Sequence, residues 1–290
     1  MTYVVTARRW RPQVFADLVG QEHIARTLSN AIRCNRVAHA FLFTGLRGVG
    51  KTTAARILAK ALNCEQGPSP EPCNACTNCR EVTDGRSVDV LEIDGASNTG
   101  VDDVREIIEN VRYRPAKSAY KIYIIDEVHM LSNNAFNALL KTLEEPPSHV
   151  KFVFATTDPQ KLPATVQSRC QRYDFRRIPL GLVVERLRTI ADEQKLKISD
   201  RVLFTLAREG EGSMRDAQSL LDQIAAGADG AVSDEDALAA LGIADRSVVY
   251  EVGAAIIARD APRALEALDG VHRLGCDMRR LTRDLLEHFR

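Results

Sequence analysis

Short apolar runs alternate with helical stripes over the first 178 residues. The runs Ala40 to Thr44, Val88 to Asp94, Lys121 to Ile125, Val150 to Ala155 and Gln171 to Phe175 are of strand length and bounded by turn formers, which predicts buried strands. Between them, apolar residues recur at helical spacing. Ile24, Leu28, Ala31 and Ile32 form one stripe, and Ala54, Ile57, Leu58 and Ala61 another within Thr53 to Leu62. Val104, Ile107, Ile108 and Val111 mark a helix from Val101 to Val111, ended by Tyr113-Arg114-Pro115. Phe136, Leu139, Leu140 and Leu143 mark one from Asn133 to Glu145, stopped by Pro146-Pro147. Strand and helix in alternation predict a parallel α/β sheet.

At Ile178-Pro179 the pattern turns to helices only. Leu182, Val183, Leu187 and Ile190 form a stripe, Val202, Leu203 and Leu206 a second, and Ser213 caps a helix holding Arg215 and Leu220-Leu221. A loop follows at Gly227 to Gly230, then a short helix begun by Ser233 and Asp236 and ended near Gly242. The expected division is therefore 1–178, 179–243 and 244–290. No cap or glycine follows Leu285 to Arg290, so the pattern predicts that the last section continues beyond it.

Composition narrows the class without naming a function. The 290 residues are 45% hydrophobic and 27% charged, enough for a sizeable core in about two domains or three small ones. No signal-peptide core or membrane-length run is present, so a cytoplasmic protein with no membrane partner is expected. Lys plus Arg equal Asp plus Glu at 39 each, and any nucleic-acid contact has to come from a local patch.

The stretch Gly45-Leu46-Arg47-Gly48-Val49-Gly50-Lys51-Thr52 lies between the first strand and the helix beginning at Thr53. A chance glycine-rich turn lacks this setting, whereas a P-loop requires it. The glycines let successive N–H groups converge on a di- or triphosphate at a helix N-terminus. Lys51 is positioned for the β- and γ-phosphates and the Thr52 hydroxyl for Mg2+. A second strand delivers Asp126-Glu127 at its carboxyl end, where ligands sit in parallel sheets. Asp126 can hold magnesium through its water shell and Glu127 can orient and deprotonate an attacking water; the plainer reading is an acidic cap. Thr157, at the end of a neighbouring strand, is placed to touch the γ-phosphate or that water.

Two further features have competing readings. Trp10-Arg11-Pro12 and Val19 precede the P-loop and can line a base pocket, or the segment can simply cover a sheet edge. Arg169, in Ser168-Arg169-Cys170, is either a salt-bridge partner or a group directed at a neighbouring subunit.

Four of the seven cysteines, Cys64, Cys73, Cys76 and Cys79, cluster in a turn-rich segment, 63–80, too poor in apolar residues to fold on a core of its own. Four thiols at this spacing can surround one tetrahedral Zn2+ that fixes the loop. Disulfides are disfavoured in a reducing compartment, and the spacing is also compatible with an iron–sulfur cluster. Four sulfur ligands would leave no open position for catalysis.

These motifs, with Val128-His129-Met130, Ala155-Thr156-Thr157-Asp158-Pro159 and Gly212-Ser213-Met214-Arg215-Asp216, resemble the AAA+ ATPases. More narrowly, the whole chain is similar to the gamma/tau family of bacterial DNA polymerase III clamp-loader subunits, the cysteine loop being the most specific part. The resemblance implies an AAA+ P-loop domain with an inserted four-cysteine zinc module, a small helical lid and the start of a helical collar. It implies ATP with Mg2+ as the reacting pair, Thr157 as sensor 1, Arg215 as sensor 2, and Arg169 as an arginine finger acting on the adjacent subunit's ATP. Expected partners are the other subunits of a five-membered ring, the sliding clamp and primed DNA, with helicase and polymerase bound by a tail outside this sequence. A different AAA+ motor, such as a branch-migration helicase, should lack the cysteine loop. A non-hydrolysing scaffold should have lost the P-loop or Glu127, and a zinc-dependent nucleic-acid binder should carry more basic residues around the cysteines than Arg80.

Overall fold

A computed structural model describes residues 5–97, 99–227, 232–234, 237, 240–241, 246–273 and 278–289. Of the expected features, Gly230, Asp236, Gly242 and Cys276 fall outside them. The chain divides into two compact units. One takes residues 7–183 and 211–216, and the other the described residues of 1–6, 184–210 and 217–290.

The first unit is built on five parallel strands: β1 (Ala40–Thr44), β2 (Val90–Asp94), β3 (Lys121–Asp126), β4 (Val150–Thr156) and β5 (Gln171–Asp174). Their spatial order is β2-β3-β4-β1-β5. Every residue of β1 and β4 is buried, as expected of central strands covered on both faces. The two-residue alternation sends Phe41, Phe43, Ile122, Ile124 and Val153 to one side and Leu42, Tyr123, Ile125, Phe152 and Phe154 to the other. Ile24 and Leu28 of α2 (Glu22–Arg33), with Ile57 and Leu58 of α3 (Lys51–Asn63), pack on the first side. Val104 and Ile107 of α5 (Val101–Val111), with Phe136 and Leu139 of α6 (Asn133–Glu144), pack on the second. The short α1 (Thr6–Arg9) begins the chain, α7 (Ala164–Gln167) precedes β5, and α8 (Leu180–Glu193) follows it.

Strand order decides where the site forms. Strand β4 lies between β1 and β3, so its carboxyl end separates the P-loop from the Asp126 end of β3 by one strand. In register, Thr44 lies opposite Thr156.

Three local expectations change. Helix α3 starts at Lys51 and not Thr53, directly after Gly50 at φ +106°. Strand β2 starts at Val90 and not Val88, because Asp89 turns inward and accepts the amides of Ala116, Lys117 and Ser118 at 2.7, 3.0 and 2.9 Å. The cysteine segment runs into a helix, α4 (Thr77–Asp84), that its few apolar residues did not announce. Its cap is the Cys76 sulfur, which accepts from the Cys79 amide.

The second unit is helical among its described residues. Leu187 and Ile190 of α8, Val202, Leu203 and Leu206 of α9 (Asp200–Glu209), and Leu221 and Ile224 of α10 (Met214–Ala226) are buried. Thr6 donates both its amide and its hydroxyl to Asp222. Three more helices follow, α11 (Arg246–Ile257), α12 (Ala261–Arg273) and α13 (Met278–Phe289), with Val249 packed on Leu281.

Candidate nucleotide site and cysteine centre

The loop from Gly45 to Gly50 joins β1 to α3. At Gly45 a side chain is impossible, since φ is +141° and a Cβ would stand 2.5 Å from the Phe175 carbonyl. Gly48, at φ +75°, would collide with the Ser213 hydroxyl in the same way. Val49 anchors the loop in the core, while the side chains of Leu46 and Arg47 are exposed. Thr53, the third residue of α3, is half-buried.

The Lys51 ammonium is buried and donates to the carbonyls of Gly45 and Leu46 at 2.8 and 2.7 Å. Burial lowers its pKa, and the charges of Glu127 and Asp126 act in the opposite direction. The next residue, Thr52, donates its hydroxyl to Asp126 Oδ2 at 2.6 Å. The P-loop and the end of β3 therefore present one hydroxyl and one carboxylate at a common point, the oxygen donors that Mg2+ takes.

Glu127 leaves the strand with φ +44°, in the left-handed region. Its Oε2 accepts from the Thr157 hydroxyl at 3.0 Å and from the Thr157 amide at 3.3 Å. His129 Nδ1 stands 3.4 Å from the same oxygen and 2.9 Å from the Thr156 hydroxyl. The periodic pattern did not single out His129, since only the strand order places Thr156 beside it.

Arginines gather near the loop. The Arg215 amide faces the Gly48 carbonyl at 3.4 Å. Arg11 has its pKa lowered, first by burial and then by Arg56, with Arg215 and Arg8 adding to the effect and Glu92 opposing it. A half-buried arginine whose charge is disfavoured by burial and by other arginines suits a polyanionic ligand. Leu18 would meet a Cβ at Gly50 at 3.6 Å, so the segment before α2 borders the loop. Trp10, Pro12 and Val19 on that segment are half-buried. Arg169 joins none of these groups. Its guanidinium bonds Glu144 and, at 2.7 Å, the Thr165 carbonyl.

The Sγ atoms of Cys64, Cys73, Cys76 and Cys79 all lie within 4.8 Å of one another. Tetrahedral zinc with Zn–S bonds of about 2.3 Å needs sulfurs about 3.8 Å apart, so the donor set fits. Backbone amides already point at the sulfurs: that of Cys73 at Cys64 and that of Cys76 at Cys73, at 3.5 and 3.3 Å. Amides of Ala75 and Cys76 pull the Cys73 thiol down to about 6, toward the thiolate a metal binds. Beside the cluster, Lys60 of α3 is 2% exposed. Its pKa is lowered to about 8 by burial, with Cys79 opposing the shift. Neither Lys60 nor its partner Gln13 shows in the sequence pattern, where Lys60 reads as a polar residue of an amphipathic helix.

A P-loop after β1, an acidic pair after β3 and a polar strand end between them define a P-loop ATPase of the AAA+ arrangement. Comparison with known proteins narrows this. Residues 20–179 match the family model described as DNA polymerase III, delta subunit. Residues 182–230 match the DNA polymerase III clamp loader subunit ATPase lid domain, and 232–290 match domain III of DNA polymerase III subunits gamma and tau. DNA polymerase III subunit tau of Escherichia coli (strain K12) is 48% identical over 99% of this chain and 44% of its own length. The gamma subunit of Buchnera aphidicola subsp. Acyrthosiphon pisum is 41% identical over 99% of this chain and 79% of its own. The chain belongs to the DNA polymerase III gamma/tau family of clamp-loader ATPases. It spans less than half the length of the tau subunit from E. coli. Among solved structures, the Thermotoga maritima RuvB Holliday junction branch migration motor superposes with a TM-score of 0.59 at 20% identity, covering 92% of this chain and 86% of that one; the likeness concerns the fold. No helix among the described residues is long and apolar enough to cross a membrane.

Proposed function

We propose that this chain is an ATP-hydrolysing motor subunit of a replicative clamp loader, opening the sliding clamp and loading it onto primed DNA within the DNA polymerase III holoenzyme. The observation that carries the motor reading is the 2.6 Å contact of Thr52 with Asp126, beside a buried Lys51 and a Glu127 seated on Thr157. In this reading the loop amides and Lys51 bind the β- and γ-phosphates, and Arg11 and Arg215 add positive charge. Thr52 and Asp126 would hold Mg2+, which when bound neutralises charge on the phosphate oxygens. Glu127 takes the proton of the attacking water, and Thr157 sets the direction of its carboxylate. Arg169 acts in trans, on ATP held by the adjacent subunit of a five-membered ring.

Residues 1–178 serve as the ATPase domain, 179–243 as the lid and 244–290 as the start of the collar. Cys64, Cys73, Cys76 and Cys79 hold structural zinc, and the protein works in the cytoplasm. Helicase and polymerase bind through chain outside this sequence.

The test is steady-state ATP hydrolysis by the chain assembled with its fellow subunits, with and without sliding clamp and primed DNA. Turnover should rise when both are present. Turnover that ignores both would refute clamp loading, and failure to bind nucleotide would refute the motor itself.

A further inference from the structure

The cysteine centre and the segment ahead of the P-loop are joined by an unbroken set of hydrogen bonds. Asn74 stands between Cys73 and Cys76 with φ +55°, so the cysteine loop sets its orientation. Its Oδ1 accepts from the Lys60 ammonium at 2.7 Å. The same ammonium donates to the Gln13 side-chain oxygen at 2.6 Å and to the Gln13 carbonyl at 3.0 Å. Gln13 in turn donates its amide to the Arg11 carbonyl at 2.9 Å. Thr83, on α4, adds a bond of 3.3 Å to the Gln13 oxygen.

All three acceptors of the buried ammonium are neutral oxygens. Among the charges around it, Cys79 and then Asp17 favour the ammonium while Arg56 opposes it; zinc held by four thiolates would add a net charge of about −2. A lysine also loses much side-chain entropy when immobilised. Packing alone would be served as well by an apolar side chain at this place on α3.

The geometry points to Lys60 as a positioning residue through which the metal-loaded cysteine centre holds Gln13 and Arg11 against the nucleotide site. The cysteine module then has a task beyond closing its own loop: it sets the affinity for ATP without touching it. This inference rests on the nucleotide reading above. The metal fixes the loop, the loop fixes Asn74, and Lys60 passes that constraint to the segment bearing Arg11.

Trp10 is the one tryptophan of the chain and lies next to Arg11, so its fluorescence reports the position of the segment. The experiment compares wild type, Lys60→Met and Gln13→Ala, each with zinc and after its removal, by Trp10 emission and acrylamide quenching. Titration with Mg·ATP and single-turnover hydrolysis at saturation follow on the same samples. Zinc removal, Lys60→Met and Gln13→Ala should each alter Trp10 quenching and weaken ATP binding about tenfold, the factor that loss of one good hydrogen-bonded anchor represents. The rate at saturation should stay the same, and zinc removal from Lys60→Met should add little, since both act on one path. Native Trp10 quenching after zinc removal, or additive effects of zinc removal and Lys60→Met, would overturn the proposal. Should Lys60→Met not fold, Gln13→Ala supplies the same comparison from the other end of the tie. A wild type that binds no ATP would remove the nucleotide reading instead, while the Trp10 comparison would still decide whether the tie exists.

Discussion

Thr157 holds the Glu127 carboxylate twice, through its hydroxyl at 3.0 Å and its amide at 3.3 Å, although the two residues follow different strands. One of the bonds is from the backbone amide and survives any substitution but proline. Thr157→Val should therefore leave Glu127 partly seated, lowering turnover by about 10- to 100-fold while ATP affinity stays close to normal. Single-turnover hydrolysis and nucleotide titration separate the two quantities. An unchanged rate would deny Thr157 any part in directing the glutamate.

Lys51 and Glu127 should divide binding from turnover. Lys51→Ala removes the ammonium nearest the loop carbonyls and should abolish measurable ATP binding. Glu127→Gln keeps size and polarity but cannot take a proton, so binding should persist while turnover drops by about 10² to 10⁴. Equal affinities in the two variants would remove this division of roles.

The cysteine cluster should carry one zinc per chain. Elemental analysis of protein purified without chelators reads this directly, and iron in place of zinc would assign a cluster of another kind. Cys79→Ser, at a fully buried ligand, should release the metal and lower Tm, because the turn-rich segment has few apolar contacts to replace it.

Asp89 gives a stability term with a defined pH dependence. Burial acts to raise its pKa, but three backbone amides outweigh it and the net shift is downward. A carboxylate with a lowered folded pKa stabilises fully above its unfolded value, near about 3.9, and the contribution disappears as pH falls through the folded value. Asp89→Asn should cost about 1 to 3 kcal/mol at neutral pH. Denaturation curves of the two proteins should converge on acidification, and a constant gap would argue against the assignment.

Arg169 is partly exposed and paired with Glu144, so Arg169→Ala should cost the isolated chain only about 0 to 1 kcal/mol. In the assembled complex the same change should collapse stimulated hydrolysis. Mixing Arg169→Ala chains with Lys51→Ala chains can rebuild one complete site, with a P-loop from the first and an arginine from the second. Activity should then return in part. Mixed assemblies verified by mass that stay as inactive as either parent would exclude a role in trans.

The sequence by itself determined the local units. Apolar runs located all five strands to within two residues, and the stripe of Val104, Ile107, Ile108 and Val111 marked α5 to its ends, because burial imposes those periods on neighbours in the chain. The P-loop and Asp126-Glu127 were legible for the same reason, being contiguous chemistry at the end of a strand. Tertiary structure alone decided who meets whom. Only the placement of β4 between β1 and β3 puts Thr157 on Glu127 and Thr156 on His129. Only folding brings Gln13 and Asn74 to the Lys60 ammonium, and Arg169 to Glu144. Helix α4 was missed because its cap is a cysteine sulfur and its buried Val82 and Asn78 are covered from α3, distant along the chain. Periodicity states which face of an element is covered, whereas partners distant along the chain are chosen by strand order and packing.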